Sequence, residues 1–535
     1  MSGAAPPGTV AVIGAGPVGQ TAALLLARWG VHVVVLDPRP ERDLIGSKAI
    51  CQQRDVLDVW DAVGAGRTLA DEGVTWTTSR TFYREVELFA QTFQDRGHSS
   101  FPPFVNISQS RTEQVLDDLI AQAPLVEVRW GHDVVGLDQD ASGVTVSCST
   151  PGGPVEVRAE HVLACPGARG DTVRTMLGLT LSGETYDDQF LICDIRTELA
   201  GWELERRFYF DPAWNPGRQV LIHPCPDSTY RIDWQVPPEF DLEAETASGA
   251  LDARIRQIIG GRPYEVVWNS AYSFHSRIVD RMRVGRVLVA GDAAHLVSPF
   301  GARGLNSGVL DAENAAWKLA FVLHGWAGQE LLESYHVERH AAAMENLAVT
   351  GATMRFLVPG DEQEHRHRVE VLERARTDAS ARALVDSGRL AEPFWYVDSP
   401  LTVPDPGRPF AGRPPKGQVP DPGPGVLVPD CPVRVVGRPE VTRLRELLRE
   451  GVALLVGGAV DPTSLTGLDA GGAPLQVHPV LDLHGEVDTM LGMRPDEVWL
   501  VRPDAHVAAV LLAPSGDQVR QALAILLRQS SAVPV

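Results

Sequence analysis

A strand-turn-helix-strand pattern near the N-terminus constrains the fold more than any other feature of the chain. Residues 10–13 form a short apolar run, typical of a strand buried on both faces. The glycine pattern G-A-G-P-V-G follows at residues 14–19, and residues 21–29 then have the composition of a helix. A second apolar run at residues 31–36 ends on Asp37. This spacing predicts a complete βαβ unit, and therefore an α/β domain of Rossmann type.

Each glycine of this pattern has a physical reason. Gly14 allows the tight turn, Gly16 lets the backbone approach a pyrophosphate, and Gly19 lets the helix pack closely on the strand. The free N–H groups at the start of the helix can then hold phosphates. Asp37 stands where a carboxylate accepts a hydrogen bond from a ribose hydroxyl. The pattern predicts a dinucleotide site and leaves both NAD(P) and FAD open.

Length and charge narrow the class of protein. A chain of 535 residues is too long to fold around a single hydrophobic core, so we expect two or three domains. The formal net charge of −21 argues against nucleic acid and anionic membranes as partners, because both are polyanions. No apolar run approaches the length of a membrane-spanning helix, and residues 1–9 lack the features of a signal peptide.

The cysteines and histidines indicate no metal chemistry. The six cysteines are scattered without a C-x-x-C pair, so we expect neither a zinc site nor a dithiol, and a reducing cytoplasm is the predicted compartment. His336 and His340 have a spacing that can bind metal on a helix, but the surrounding Y-H-V-E-R-H sequence favours a solvated, charged helix.

Changes of composition predict the domain organisation. We expect a nucleotide-binding domain in two parts, residues 1–181 and 275–397, the second with long helices. Strand-like, aromatic-rich segments at residues 182–274 predict an inserted, mainly antiparallel sheet that would bind a substrate. Residues 398–432 are dense in proline and glycine and indicate a linker, and residues 433–535 read as a small α/β unit.

Two further motifs complete a recognisable set. G-D-A-A-H occupies residues 291–295, and P-F-G-A-R-G-L-N-S-G occupies residues 299–308. With the glycine turn at residues 14–19, they resemble the single-component FAD-dependent aromatic hydroxylases of the p-hydroxybenzoate hydroxylase group. The closer likeness is to the branch of phenol hydroxylase and 3-(3-hydroxyphenyl)propionate hydroxylase. The C-terminal unit resembles the thioredoxin-like appendage of that branch, here without a C-x-x-C pair.

The resemblance implies FAD as the cofactor and gives residues roles in binding it. Asp37 would hold the adenosine ribose, Asp292 and Gln109 would lie on the ribityl side, and the backbone of residues 304–306 would cradle the pyrimidine end of the flavin. Lys48 stands where the family usually has an arginine near the flavin. The residues that the resemblance implies for FAD are Gly14, Gly16, Pro17, Val18, Gly19, Asp37, Pro38, Arg39, Lys48, Gln109, Val134, Gly291, Asp292, Pro299, Gly304, Leu305 and Asn306.

One stretch departs from the family pattern. The family's C-D-G-A-R-S-x-V-R, linked to the use of FAD and NAD(P)H, reads C-P-G-A-R-G-D-T-V-R at residues 165–174. Pro166 replaces the aspartate and Gly170 replaces the serine. The resemblance implies that NADPH or NADH is the reductant. Because of the replacement at Pro166, two alternatives stay open: reduction by a partner reductase, and a flavoprotein without catalytic activity.

The reaction that the resemblance implies is hydroxylation of a phenolic or polycyclic aromatic compound by NAD(P)H and O2 through a flavin C4a-hydroperoxide. A base would convert the phenol to the more reactive phenolate, and His223, Tyr209 and Asp233 on the predicted substrate sheet are the candidates. Strand alternation leaves open which of them faces the substrate. The candidates for substrate contact are Phe210, His223, Trp234 and Pro299.

Other reactions of the same flavin chemistry stay open. Baeyer–Villiger oxidation and modification of an antibiotic use the same cofactor, so the sequence does not separate them from hydroxylation. A plain NAD-dependent dehydrogenase leaves the motifs at residues 291–295 and 299–308 unexplained. The C-terminal unit has no cysteine after Cys431, so we expect it to have a packing role, and a homodimer contact is also open.

Overall fold

The computed structural model describes all but seven short segments of the chain. The described residues are 8–43, 49–92, 99–415, 418–465, 467–483 and 485–529. In chain order the strands are β1 Val10–Ile13, β2 Val33–Asp37, β3 Cys51–Gln53, β4 Thr78–Tyr83, β5 Val86–Thr92, β6 Phe104–Asn106, β7 Val126–Trp130, β8 Asp133–Asp140, β9 Gly143–Thr150, β10 Gly153–Ala159, β11 His161–Ala164, β12 Leu181–Arg196, β13 Glu205–Phe210, β14 Gln219–Cys225, β15 Thr229–Val236, β16 Glu265–Val279, β17 Arg283–Val284, β18 Val287–Val289, β19 His295–Leu296, β20 Val452–Val456, β21 Leu475–Pro479, β22 Glu497–Val501 and β23 Val507–Leu512. The helices are α1 Pro17–Arg28, α2 Arg54–Asp61, α3 Gly66–Glu72, α4 Gln109–Ile120, α5 Gly170–Leu177, α6 Leu242–Ser248, α7 Ala250–Ile259, α8 Gly304–Leu323, α9 Glu333–Leu357, α10 Glu362–Ala375, α11 Ala379–Arg382, α12 Leu444–Leu448, α13 Val487–Leu491 and α14 Gly516–Leu527.

The first sheet confirms the predicted α/β fold. Its order is β17-β18-β11-β1-β2-β7, and β1 pairs in parallel with both β2 and β11. All four residues of β1 are buried, as the apolar run predicts. Gly14 (φ +97°) and Gly19 are required by close packing: a β-carbon on Gly14 would lie 2.4 Å from the carbonyl oxygen of Cys165, and one on Gly19 would lie 2.0 Å from the carbonyl oxygen of Gly14. The parallel strands therefore end together at one crowded edge.

The second sheet has eight strands in the order β19-β16-β12-β15-β14-β13-β4-β5. It is larger than the predicted insertion at residues 182–274, because β4 and β5 join it from the first part of the chain and β16 continues to Val279. Pairing of β4 with β13 covers an edge that the insertion alone would leave unpaired. One face packs on α7, and the other faces α9, α10 and Phe300.

The C-terminal part is docked on the rest of the chain. Within the predicted linker Leu401 is fully buried, the amide of Val403 donates to the carbonyl of Ala508 at 2.8 Å, and the amide of Gly425 donates to that of Val507 at 2.7 Å. The C-terminal sheet has the mixed order β21-β20-β22-β23, which agrees with a thioredoxin-like unit. The buried guanidinium of Arg445 reaches back to α2, where it pairs with an aspartate. The proline-rich composition therefore accompanies a tightly packed connection.

None of the helices in the described ranges is both long enough and apolar enough to cross a membrane.

Candidate active site

The carboxyl ends of the parallel strands converge on a cradle of glycine-rich turns. The turn at Gly14 follows β1, Asp37 ends β2 and Gly291 follows β18. Among the described residues, no side chain caps the start of α1 or α8. A β-carbon placed on Gly16 or Gly304 would have no atom within 4 Å. Open space in front of uncapped helix N-termini fits an anionic dinucleotide, whose phosphates accept from backbone N–H groups.

Asp37 is buried at this edge and is fixed by several donors. Its Oδ2 accepts from the backbone N–H of Ala15 at 2.8 Å, and its Oδ1 accepts from the backbone N–H of Arg39 at 3.0 Å. The Arg39 guanidinium adds bonds of 2.8 and 2.9 Å. Burial alone would raise the pKa of Asp37, but these donors hold it below the ordinary value. The carboxylate of Asp37, which already accepts from Arg39, would therefore be ionised when it accepts from a ribose hydroxyl.

Val18 packs where the first turn meets the turn at Gly291 and the helix α8. A β-carbon on Gly291 would lie 3.3 Å from a methyl group of Val18, and one on Gly308 would lie 2.6 Å from it. Gly308 is the last residue of the motif at residues 299–308, and this close approach is the physical reason for a glycine there. The three cofactor segments thus form one packed unit.

The turn at Gly291 is held by a buried carboxylate that the sequence analysis did not single out. Asp311 on α8 accepts from the backbone N–H of Gly291 at 3.0 Å and contacts the Nε2 of His295 at 2.7 Å. Its other oxygen accepts from the Nε of Arg339 at 2.7 Å. Burial alone would raise the pKa of Asp311, but His295 and Arg339 keep it below the ordinary value. The motif D-A-E-N at residues 311–314 was the available signal for this residue.

This ionic network continues into the C-terminal unit. The Nη1 of Arg339 donates to the hydroxyl of Tyr396 at 3.0 Å. The neighbouring carboxylate of Glu338 accepts from the Nη1 of Arg502 and from the ammonium of Lys318, both at 2.6 Å. All five side chains are buried. The C-terminal unit is therefore joined through buried polar contacts to the helix that carries Arg339.

The side chain of Asn306 near the start of α8 holds the strand β3, and Gln109 on α4 holds the residue Ala49 before that strand. Asn306 accepts from the backbone N–H of Gln53 at 2.9 Å and donates to the carbonyl of Cys51 at 2.9 Å. Gln109 accepts from the backbone N–H of Ala49 at 3.2 Å. The Asp292 side chain is exposed at its turn. Lys48 lies outside the described residues.

The remaining predicted cofactor residues surround these segments. Pro17 is buried in the first turn of α1, Val134 is buried on β8, and Leu305 is half-buried against the core. Pro38 is half-buried and Pro299 is exposed.

Strand register divides the predicted catalytic residues between two faces of the eight-stranded sheet. Phe208 pairs with Leu221, which pairs with Asp233, so these side chains share one face. Tyr209 pairs with Val220, which pairs with Trp234, so these occupy the other face.

Tyr209 and Trp234 pack in the core against α7, whereas His223, Asp233 and Phe210 lie on the face toward Phe300. The structure does not bring Tyr209 or Trp234 to the site. Trp234 is fully buried in the cluster that includes α7, and the half-buried Tyr209 stacks on Phe82 with the ring centroids 4.6 Å apart.

His223 and Asp233 form a pair with unsatisfied polar atoms. The Nε2 of His223 lies 3.8 Å from the Oδ2 of Asp233, while the Nδ1 of His223 and the Oδ1 of Asp233 have no hydrogen-bond partner among the described residues. Burial raises the pKa of Asp233 to about 7. Burial and the nearby Arg206 and Arg231 keep the pKa of His223 well below its ordinary value. A carboxylate that titrates near neutrality beside a neutral imidazole can accept a proton.

Aromatic rings connect this face to the cofactor segment. Phe300 immediately follows Pro299, and its ring centroid lies 5.2 Å from that of Phe190 on β12. Phe190 also stacks on Phe274 of β16 at 4.6 Å. Such rings form an apolar wall beside the titratable pair.

The stretch that departs from the family pattern lies against the turn at Gly291. Residues Gly167–Arg169 form a single 3₁₀ turn, with Gly167 at φ +62°. Arg174 of the following helix donates to the carbonyl of Ala293 at 3.0 Å. The altered stretch therefore still supports the cofactor edge.

Comparison with known proteins identifies the family. Residues 8–350 match the family model of the FAD binding domain. The chain belongs to this family. FAD is therefore the dinucleotide that fits the cradle. No group of three or more His, Cys, Asp or Glu side chains able to hold a metal ion occurs in the part of the chain that the structure describes.

Several curated proteins are similar in sequence. A 3-(3-hydroxy-phenyl)propionate/3-hydroxycinnamic acid hydroxylase from Mycobacterium sp. is 33% identical over 63% of this chain and 59% of that protein. A para-nitrophenol 4-monooxygenase from Pseudomonas sp. is 30% identical over 65% of this chain and 86% of that protein. A rifampicin monooxygenase from Streptomyces venezuelae is 32% identical over 68% of this chain and 75% of that protein. The match spans less than two thirds of the length of the first of these relatives.

Solved structures share the fold over nearly the whole chain. The flavin-dependent monooxygenase PieE, in complex with FAD and substrate, has a TM-score of 0.86 at 22% identity, covering 99% of this chain and 100% of that one. Aklavinone-11 hydroxylase, in complex with FAD and aklavinone, has a TM-score of 0.78 at 23% identity over the same shares. These likenesses confirm the architecture, including the C-terminal unit.

Proposed function

We propose that this chain is an FAD-dependent monooxygenase that uses NAD(P)H and O2 to hydroxylate a phenolic or polycyclic aromatic compound. The observation that carries this proposal is the junction at Phe300, where the cofactor segment at residues 299–308 meets an aromatic wall and the pair of His223 and Asp233. The similar hydroxylases and monooxygenases support the reaction class.

The overall reaction consumes one molecule each of the aromatic substrate, O2 and NAD(P)H. When bound and reduced, FAD supplies the means to activate dioxygen. One oxygen atom enters an aromatic C–H bond, the other leaves as water, and NAD(P)H provides two electrons. Asp233, assisted by His223, would accept the phenol proton. Phe210 would line the apolar wall, and Pro299, exposed beside it, would contact the ring.

The cofactor residues follow from the cradle. The N–H groups at the start of α1 would hold the pyrophosphate of FAD, and those at the start of α8, at Gly304, Leu305 and Asn306, would face the pyrimidine end of the flavin. Asp37 would hold the ribose, and Asp292 would lie on the ribityl side. We also propose a two-part FAD-binding domain, a substrate-binding sheet that β4 and β5 complete, a docked C-terminal unit, and a cytoplasmic location.

A second function is favoured by the departure at Pro166. A flavoprotein reduced by a partner, or one without catalysis, would bind FAD and fail to oxidise NAD(P)H. A third candidate function, oxidative modification of an antibiotic, would use the same site. The similarity to rifampicin monooxygenase supports this candidate.

Anaerobic reduction of the purified holoprotein separates these functions. NADPH or NADH is mixed with the protein in the presence and absence of phenols and polycyclic aromatics, and bleaching of the flavin band is followed. If the protein is a hydroxylase, we expect NADPH or NADH to bleach the flavin band, and one class of aromatic compound to accelerate the bleaching. Absence of bleaching with either nucleotide under every condition would favour partner reduction and contradict the proposed reductant.

Replacement of Asp233 tests the proton acceptor through its pH dependence. Because its folded pKa of about 7 lies above the ordinary value near 3.8, ionising Asp233 costs folding free energy, and stability falls as the pH rises through this range. Asp233→Asn is expected to remove this fall. It is also expected to lower the turnover of phenols about 100-fold or more at neutral pH. Urea unfolding at several pH values and kcat profiles provide the measurements.

The control variant is Asp252→Asn, which alters an exposed carboxylate on α7 that pairs with Arg256 at 2.9 Å and should leave the turnover and its pH profile unchanged. Turnover by Asp233→Asn at the wild-type rate, with an unchanged pH profile, would exclude Asp233 as the proton acceptor.

A further inference from the structure

Two buried arginines on the substrate face differ in their partners. Arg231 makes a bidentate pair with Asp194, with two contacts of 2.8 Å. Arg206 has no carboxylate within ion-pair distance among the residues that the structure describes. Its guanidinium reaches the hydroxyl of Ser79 and the carbonyl of Ser387, each at 3.4 Å, and lies 5.7 Å from the ring centroid of Phe208. Its Nε has no hydrogen-bond partner in those ranges. A buried guanidinium with weak neutral partners is costly unless an anion joins it.

Strand geometry points this cation toward the proposed reaction space. Arg207 pairs with Ile222, so the adjacent residues Arg206 and His223 project from the other face of the sheet. That face carries Asp233. Burial lowers the pKa of Arg206 to about 10, which leaves it charged at neutral pH.

The cofactor side of the same space is near. Cys51 on β3 pairs with Asn106 on β6, whose side chain donates to the carbonyl of Pro224, the residue after His223, at 2.8 Å. The carbonyl of Cys51 accepts from Asn306 at the start of α8. The ring of Trp76 packs with Cys51 and Ala302 in one cluster, and its Nε1 donates to Asn106 at 3.1 Å. Arg206 thus lies between the substrate sheet and the segment that would hold the flavin.

The local charge balance favours an anionic guest. Arg231 forms a bidentate pair with Asp194, and the pKa of His223 well below its ordinary value keeps that imidazole neutral. The carboxylate of Asp233 lies 3.8 Å from His223 and is not within ion-pair distance of Arg206. Among the described residues of this face, Arg206 is therefore the buried arginine without a carboxylate partner. We propose that Arg206 binds an ionised oxygen of the aromatic substrate, so that the substrate class is an aromatic anion. This inference rests on the proposed function and adds the substrate's charge to it.

An ionised oxygen has two sources on such a compound, a phenolate and a carboxylate on a side chain. A phenolate at Arg206 would be held in its reactive form beside Asp233. A carboxylate at Arg206 would anchor the far end of the molecule instead. Both are oxygen anions that a guanidinium recognises through charge-assisted hydrogen bonds.

Equilibrium binding to the oxidised holoprotein tests the proposal with two matched ligand pairs. The first pair is p-nitrophenol, at a pH where it is ionised, and nitrobenzene. The second is 3-phenylpropionate and its amide. Changes in the flavin spectrum report occupancy. Arg206→Met is expected to raise the Kd of one anion about 10- to 100-fold while the Kd of its neutral analogue changes by less than about threefold. The pair that shows this selective loss identifies the source of the anion.

The control is Arg207→Met, which removes the neighbouring guanidinium on the opposite face, where it pairs with Glu205 at 2.7 Å. It should leave all four Kd values unchanged. Arg206→Lys keeps the charge and should recover part of the anion affinity, which a purely structural role would not restore.

Equal Kd shifts for anion and neutral analogue, or no shift in Arg206→Met with FAD still bound, would overturn the inference. Such a result leaves the proposed function intact if the wild-type protein still hydroxylates a neutral aromatic. If the proposed function fails instead, anion-selective binding can persist without any NAD(P)H oxidation.

Discussion

Gly16→Val is expected to weaken FAD binding about 100-fold or more while the protein still folds. The backbone at Gly16 has φ −77° and ψ 177°, which any residue can adopt, and a β-carbon there meets no atom within 4 Å. The apoprotein should therefore keep its stability to within about 1 kcal/mol. The valine would occupy the space through which a pyrophosphate approaches the N–H groups of α1, and each lost charge-assisted bond costs about 1.5–3 kcal/mol. Quenching of FAD fluorescence gives the Kd, and urea unfolding of the apoprotein gives the stability.

Gly19→Ala is the matched control for this experiment. Its β-carbon would lie 2.0 Å from the carbonyl oxygen of Gly14, so the helix must move away from the strand. We expect this variant to lose about 1–3 kcal/mol of stability along with its affinity for FAD. Wild-type FAD affinity in Gly16→Val would show that the cofactor does not use this cradle.

Asp311→Ala is expected to destabilise the holoprotein by about 3–5 kcal/mol, because it leaves the buried Arg339 and His295 without their shared carboxylate. The amide of Gly291 also loses its acceptor, so the turn that supports the cofactor should loosen. Urea unfolding measures the first effect. The FAD Kd of the fraction that remains folded measures the second, and we expect it to rise.

Two further observations make this prediction specific. Since its partners hold the pKa of Asp311 below the unfolded value, its stabilising contribution is present above the unfolded pKa and is lost as the pH falls through the folded pKa. Asp252→Ala, which removes a carboxylate from the exposed pair with Arg256, should change the unfolding curve little. A loss below about 1 kcal/mol in Asp311→Ala would show that the network does not hold the turn.

Local patterns in the sequence predicted the cofactor domain well. The run β1-α1-β2 depends on residues within one stretch, where apolar periodicity and glycine spacing determine the turn, the helix and the strand ends. Strands of the C-terminal unit were also predictable, since β20 is a continuous buried apolar run and β22 is one after its first residue, Glu497.

Features that depend on pairing between distant segments could not be predicted in the same way. Side-chain alternation along a strand does not show which face of the sheet Tyr209 or His223 occupies. The register between β13 and β14 shows that these two side chains lie on opposite faces. Asp311 and Arg339 are 28 residues apart and meet only because α8 and α9 pack together. The composition of residues 398–432 indicated a linker and carried no information about the backbone partners that bury Leu401.

Incorporation of isotopically labelled dioxygen tests the central claim most directly. The holoprotein, NAD(P)H and each aromatic that accelerates flavin reduction are incubated under labelled oxygen gas, and the products are analysed by mass spectrometry. The account predicts one labelled oxygen atom in a hydroxylated aromatic product, with consumption of NAD(P)H in equal amount. Stoichiometric formation of labelled hydrogen peroxide, with every bound aromatic recovered unchanged, would contradict it.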